Sequence, residues 1–323
     1  MTTPAADSTP EPPSAPSGAP SRAPSRDWRV HAALLIVQVA FASQTVEGKI
    51  AMGPRVAGGE EISPFAVAMV RMLGAALFFQ LFTRATKQLR TTTLHDHVIL
   101  AGLSVIGIAL NQTLFLIGLR LTTPMTAALL SVTIPVFTAV MAVAVRQERA
   151  SVRLAVGLAS SIAGAVWLTG VGHVDLGAVV VLVNSLCYSA YIVFSRSTIR
   201  RLGTLTVVTW IFTWGAILFA PIGMSRLIAG APTWTPRGIW FLAYILAMPT
   251  IVAYLCNAWA LGRSNATLVS IYIYVQPVIA GVLAWVQLGQ SLSARLIGAA
   301  ALIALGVSIV ATRKDAIPAP VEE

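Results

Sequence analysis

Residues 124–154, PMTAALLSVTIPVFTAVMAVAVRQERASVRL, return in outline 142 positions later as ATLVSIYIYVQPVIAGVLAWVQLGQSLSARL at 266–296. Identities are few, but they hold one ungapped register from 118–170 onto 260–312. Pro135 falls on Pro277, Val136 on Val278, Ala142 on Ala284, Arg153-Leu154 on Arg295-Leu296, Ala159 on Ala301 and Gly164 on Gly306. A register kept through successive apolar segments means that one structural unit is used twice. A bilayer core takes about 20 apolar residues per helix. Segments of that size lie near 32–50, 64–82, 98–119, 124–145, 154–171, 176–195, 205–223, 238–261, 266–288 and 294–312. Five per half is an odd number, so the second half inserts upside down relative to the first. The sequence thus predicts an all-α integral membrane protein with ten transmembrane helices in two inverted five-helix repeats. The repeats span 30–171 and 172–312, between a tail at 1–29 and another at 313–323.

Composition agrees. The 323 residues are 56% hydrophobic and 11% charged, with mean hydropathy +0.79, against about 25% charged in soluble domains. Residues 1–26 carry seven prolines among Ser, Ala and Thr, a composition that buries no core and reads as disordered. Arg26, Arg29, HAALLIV and AFAS imitate a secretory signal. The long tail ahead, the interruption at Gln38 and the need of the repeat for this helix argue that it stays as the first span. With the N-terminus inside, fifteen Lys and Arg fall on inner segments and six on outer ones, which predicts both termini in the cytoplasm of an inner-membrane protein. The net charge of +10 follows from that asymmetry and needs no nucleic-acid partner. Cys187 and Cys256 lie inside apolar runs and read as small packing residues. His95-Asp96-His97 reads as a solvated loop, no H-E-x-x-H helix occurs, and neither metal nor cofactor is expected.

An unpaired polar group in lipid must face protein or water, so the polar stripes locate the candidate site. Gln38, Ala42, Thr45 and Lys49 share a face of the first span, and 146 positions on Asn184, Tyr188, Tyr191 and Ser195 share one of the sixth. In the third and eighth spans Gln112 and Phe115 are matched by Tyr254 and Asn257, and the ninth adds Asn265, Tyr272 and Gln276. Gln38, Thr45, Gln112, Phe115, Asn184, Tyr188, Tyr191, Tyr254, Asn257, Tyr272 and Gln276 form the candidate substrate-binding set; Asn111 is assigned a bond to a neighbouring helix. The alternative for each amide is interhelical bonding worth roughly 0.6 kcal/mol. Pro135 and Pro277, mid-span, free the carbonyls of Ser131 and Ile273 and are assigned as hinges. Arg71 lies about 10 Å into its span by helical rise, where it either snorkels outward or takes Glu47 or a solute anion as its partner. Glu47 points away from the stripe, so no carboxylate is placed to carry a coupling proton. GLASSIAGA (157–165) and AALIALGVS (300–308) are small-residue surfaces for close packing or a homodimer face.

The stretch GIALNQTLFLIGLRLTTPMTAALLSVTIPVFTAVMAVAVRQER (107–149), with LGRSNATLVSIYIYVQPVIAGVLAWVQLGQSL (261–292), resembles the EamA-type permeases of the drug/metabolite transporter superfamily. HAALLIVQVAF (31–41) and N-Q-x-L-F-x-x-G-L (111–119) are also similar to the plant nodulin-like branch. The resemblance covers 30–312 and implies two five-helix repeats that move small organic solutes outward. One departure is charge: the acidic residue after the fourth helix is present as Glu148, but its second-half counterpart is Gln290. The expected function is export of a small metabolite by alternating access. The amides and aromatic rings suit a neutral or zwitterionic amino acid or aromatic metabolite better than a sugar phosphate. A channel and an importing permease are the alternatives. An intramembrane enzyme is disfavoured because no histidine or aspartate lies within the spans.

Overall fold

The computed structural model describes residues 28–146, 152–169, 175–261, 272–289 and 293–311, and among them every regular element is helical. We number them α1 (Trp28–Met52), α2 (Pro64–Ala85), α3 (Leu94–Ser104, Val105–Leu110 and Asn111–Leu121 end to end), α4 (Pro124–Ser131 then Ile134–Ala144) and α5 (Val152–Thr169). There follow α6 (Leu176–Leu202), α7 (Thr204–Gly230), α8 (Pro236–Leu246, Ala247–Val252 and Ala253–Leu261), α9 (Gln276–Leu288) and α10 (Ala294–Ala311). Seven of them, α1 to α4 and α6 to α8, are long and apolar enough to cross a bilayer. Asn265, Glu148 and Gln290, and part of the expected ninth span, lie outside the described residues.

Helix starts are set by side-chain caps, which satisfy backbone N–H groups that have no partner inside the helix. Thr123, Thr235 and Asp175 cap α4, α8 and α6. Thr93 forms a reciprocal capping box with Asp96, whose carboxylate also pairs with Arg201. This corrects one expectation: α3 begins at Leu94, and His95–His97 is its first turn rather than a loop. There His97 lies edge-on to Trp210, ring centroids 4.4 Å apart, and its Nδ1 accepts from Trp214 Nε1 at 3.3 Å. Among the described residues no cluster of three or more His, Cys, Asp or Glu could hold a metal.

Four packings organise the bundle. α2 runs antiparallel to α7, with Phe65 against Phe219, Phe79 against Phe212 and Thr209 donating to Thr83 at 3.4 Å. α3 and α6 are antiparallel through Gly118 and Val181, Asn111 and Asn184, and Gly107 and Tyr191. α1 and α8 are antiparallel through Ser43 and Tyr244, Phe41 and Tyr254, and Leu34 and Ala260. α5 packs on α10, where Gly164 meets Ile303 and Ala299 and Ser160 donates to the Leu302 carbonyl at 2.8 Å. The two small-residue surfaces therefore face each other within the chain. α9 lies along α1 and α4 along α6.

Departures from α geometry are themselves repeated. α3 contains a π turn at Val105–Leu110 and α8 one at Ala247–Val252, 142 positions apart. The caps Thr93 and Thr235 keep the same interval. α4 breaks between Ser131 and Ile134, and α9 opens at Gln276 after a 3-10 turn, Tyr272–Val275, so these starts are again 142 apart. Pro135 and Pro277 consequently occupy the first turn of a helical piece and not its middle. There a missing N–H leaves no bond unmade. Each π turn brings a helix close to its neighbour. A Cβ on Gly107 would stand 2.3 Å from Tyr191 Cδ2, whereas one on Gly102 would meet nothing within 4 Å. Gly107→Ala should lower the melting temperature of the detergent-purified protein by a few degrees, overpacking costing about 1–3 kcal/mol, and Gly102→Ala should leave it unchanged.

Candidate functional site

The extra residue of a π turn rotates the side chains that follow and re-aims them. In α8 it sets the Thr250 hydroxyl to donate to the Ile245 carbonyl at 2.9 Å and to accept from Arg71 Nε at 2.9 Å. In α3 it presents Gly107 to the Tyr191 ring, which stacks on Tyr188 with centroids 5.8 Å apart. Tyr254, two residues past the second π turn, lies edge-on to Phe212 at 5.1 Å and to Phe41 at 6.5 Å. Tyr254 stands four residues, about one helical turn, beyond Thr250, to which Arg71 donates. Each π turn thus borders polar or aromatic side chains inside the bundle, Tyr191 and Tyr188 at the first, Arg71 and Tyr254 at the second.

Gln112 follows the first π turn by two residues. It is 3% exposed, and neither atom of its amide bonds to a described residue; Gln38, 2% exposed, leaves its oxygen unbonded. Each such group costs about 1–3 kcal/mol, so two amides stand ready for a partner. The remaining candidates divide. Gln276 is buried on the first turn of α9, while Phe115 and Asn257 are half-buried. Asn184 Nδ2 donates to the Asn111 backbone carbonyl at 2.6 Å, so this bond, and not the Asn111 side chain, ties α6 to α3. Thr45 donates to the Ala42 carbonyl of its own helix at 2.7 Å. Tyr272 sits apart from the other tyrosines, its phenol 2.7 Å from His31 Nδ1 at the start of α1.

Arg71 and Glu47 do not meet. Glu47 lies on the face of α1 that packs on α9 and accepts from Gln287 Nε2 at 3.3 Å, while Arg71 turns toward α8. Thr250, Phe41 and Phe212 escaped sequence reading. A threonine and two phenylalanines in apolar runs carry no signal of their own; the mark beside Thr250 is Pro249, which lacks an N–H and frees the Ile245 carbonyl that the Thr250 hydroxyl takes.

Charges gather at two ends. At one, Lys49 Nζ donates to the carbonyls of Leu119, Arg120 and Thr122 at 3.1, 2.7 and 2.5 Å, and Thr122 donates to Asp175 at 2.6 Å. Arg55 pairs with Glu61 and Arg237 with Glu60, each at 3.8 Å. At the other, Arg201 pairs with Asp96 and Arg90 donates to the Arg201 carbonyl at 3.1 Å. A cavity of about 1080 Å³ opens at this second end between Arg29, Lys87, Arg90, Trp28 and Trp259. None of the candidate binding residues lines it.

The model of the EamA-like transporter family matches this chain twice, over 28–170 and 175–312. An uncharacterized transporter of Archaeoglobus fulgidus is 22% identical over 269 residues, 81% of this chain and 90% of that protein. The uncharacterized transporter YdfC of Bacillus subtilis is 26% identical over 242 residues, 72% and 77% of the two chains. One from Clostridium kluyveri is 24% identical over 291 residues, 84% and 90%. A solved crystal structure shares the fold, with a TM-score of 0.56 at 18% identity over 88% of this chain and 96% of the other. With family matches over both halves and seven helices fit to cross a bilayer, this chain belongs to the EamA-like transporter family of multi-pass membrane proteins.

Proposed function

We propose that this transporter exports a small organic metabolite of the amino-acid or aromatic class across the inner membrane by alternating access, and that the layer between the two π turns is its binding site. The observation that carries the site is Gln112: a buried amide neither of whose polar atoms bonds to a described residue, on a lipid-spanning helix, beside the turn that holds Tyr191. Gln38, Tyr188, Tyr191 and Tyr254 complete the core of the site, with Phe115, Asn257 and Gln276 at its margin. Asn184 and Tyr272 tie neighbouring elements together, and the Thr45 hydroxyl bonds within its own helix. Outward direction rests on the family resemblance.

The packing supports ten helices in inverted halves, 30–171 and 172–312. Exchanging the halves maps α1 on α8 into α6 on α3, maps α1 on α9 into α6 on α4, and returns α2 on α7 and α5 on α10 to themselves. Alternating access then amounts to one half rocking on the other. The breaks ahead of Pro135 and Pro277 are matched places for such bending, because backbone groups there are already outside a continuous ladder. Basic residues at the end that holds Arg84, Lys87, Arg90, Arg200 and Arg201 support a cytoplasmic assignment for that end and for both termini.

Reporter fusions at the C-terminus and within residues 84–95 should report cytoplasm, and a fusion between α5 and α6 the opposite side; a C-terminus outside the cell would break the inverted-repeat reading. Overproduction should raise tolerance to one or more amino acids or their toxic analogues, identified by a metabolite screen. Tyr188→Ala should abolish the gain at unchanged membrane abundance. Gln112→Met should cut export at least tenfold while leaving the melting temperature unchanged or raised, because it removes an unsatisfied buried amide at similar volume. Tolerance that survives both substitutions would move the site elsewhere. Single-channel currents from the purified protein in a bilayer would replace alternating access with a pore.

A further inference from the structure

We propose that Arg71 is the anchor for a carboxylate on the transported solute, which makes the cargo a monocarboxylate with an apolar or aromatic body. The inference rests on the binding layer proposed above and names the chemistry that it recognises.

Arg71 is 4% exposed and makes one hydrogen bond, from Nε to Thr250 Oγ1 at 2.9 Å. Its two Nη groups, four of its five donors, make no hydrogen bond to a described residue. Every described carboxylate is engaged elsewhere. Glu47 accepts from Gln287, Glu60 from Thr235 with Arg237 nearby, and Glu61 pairs with Arg55. Asp96 pairs with Arg201, and Asp175 accepts from Thr122 while capping α6. The other acidic residues all lie in 1–27, 147–151 and 312–323. A buried guanidinium among helices is retained where a counter-charge comes to it.

Comparison of the halves shows apolar residues at the positions that correspond to Arg71 and Thr250. α2 approaches α8 at Gly74, where a Cβ would stand 2.4 Å from Leu246 Cδ2, and α7 approaches α3 at Gly215, where one would stand 2.9 Å from Ile108 Cγ2. Three residues before each of these glycines stand Arg71 and Phe212, and the repeat register puts Ile108 where α8 has Thr250. At the corresponding positions stand Phe212 on α7 and Ile108 on α3, both fully buried members of one apolar core. The polar pair is therefore particular to one side of the repeat.

The planar fork of an arginine matches a carboxylate with two parallel hydrogen bonds. A phosphate dianion would call for a second cation, and Arg71 is the only buried Lys or Arg side chain among the described residues. Tyr254, with Phe212 and Phe41 at its edges, offers the adjoining apolar wall.

The test uses 3-phenylpropionate and phenethylamine, one aromatic body carrying either charge, on the purified full-length protein at constant ionic strength. The acid should raise the melting temperature saturably and the amine should not. Arg71→Met should raise the half-saturating concentration at least tenfold, with Arg71→Lys in between because it keeps the charge and loses the fork. No shift with the acid, an equal shift with the amine, or an undiminished shift in Arg71→Met would overturn the anchor. Should Arg71→Met fail to accumulate, Arg71→Lys carries the comparison, and binding equal to the parent protein counts against the proposal. Metabolite tolerance conferred by a chain that ignores the acid would sink the anchor alone. A carboxylate-dependent shift in a chain that confers no tolerance would keep the anchor and sink the transport reading.

Discussion

Inside hydrocarbon every backbone amide must find its partner within the protein, so a helix that departs from regular geometry there does so at a cost. α3 and α8 both depart, at the same place in the repeat. Each π turn is the point at which a neighbour reaches in: Tyr191 of α6 against Gly107 in one, Arg71 of α2 on Thr250 in the other. With regular helices at these points the glycine surface and the threonine hydroxyl would face elsewhere. The arrangement of phenols, amides and guanidinium hangs on two extra residues, one in each half.

The same pair of turns separates scaffold from chemistry. The repeat dictates which helices touch, where they are capped and where α4 and α9 break. It does not dictate what lies in the middle. Where the first π turn is answered by a tyrosine ring, the second is answered by a cation, and where α2 carries Arg71 the corresponding place on α7 carries Phe212. One family unit is matched twice along the chain, with shared caps and π turns and different side chains beside them.

Much of this was legible in the sequence, and the limits have physical causes. The 142-residue register, the polar stripes and the tyrosines at 188, 191 and 254 were all readable, because helical periodicity fixes which residues share a face. Which neighbour lies on that face is a tertiary fact. Glu47 and Arg71 are both rare charges in apolar runs, and pairing them was the economical reading; packing instead sends one toward α9 and the other toward α8. Asn184 and Gln112 look alike in the sequence, yet one bonds a backbone carbonyl and the other bonds nothing described. The first turn of α3 was missed since His95-Asp96-His97 has a polar loop's composition, and the cap that makes it helical is the preceding Thr93.

Lys49 has a consequence for the order of biogenesis. Its ammonium closes the last turn of α3 by gathering three carbonyls, and both partners are synthesised within the first half. The opposite end of α1 is held by later residues: His31 by Tyr272, and Val30 and Leu34 by Ala260. A chain ending with the first half would keep the ties around Lys49, Val46 and Ala42 and would lack those that hold the start of α1.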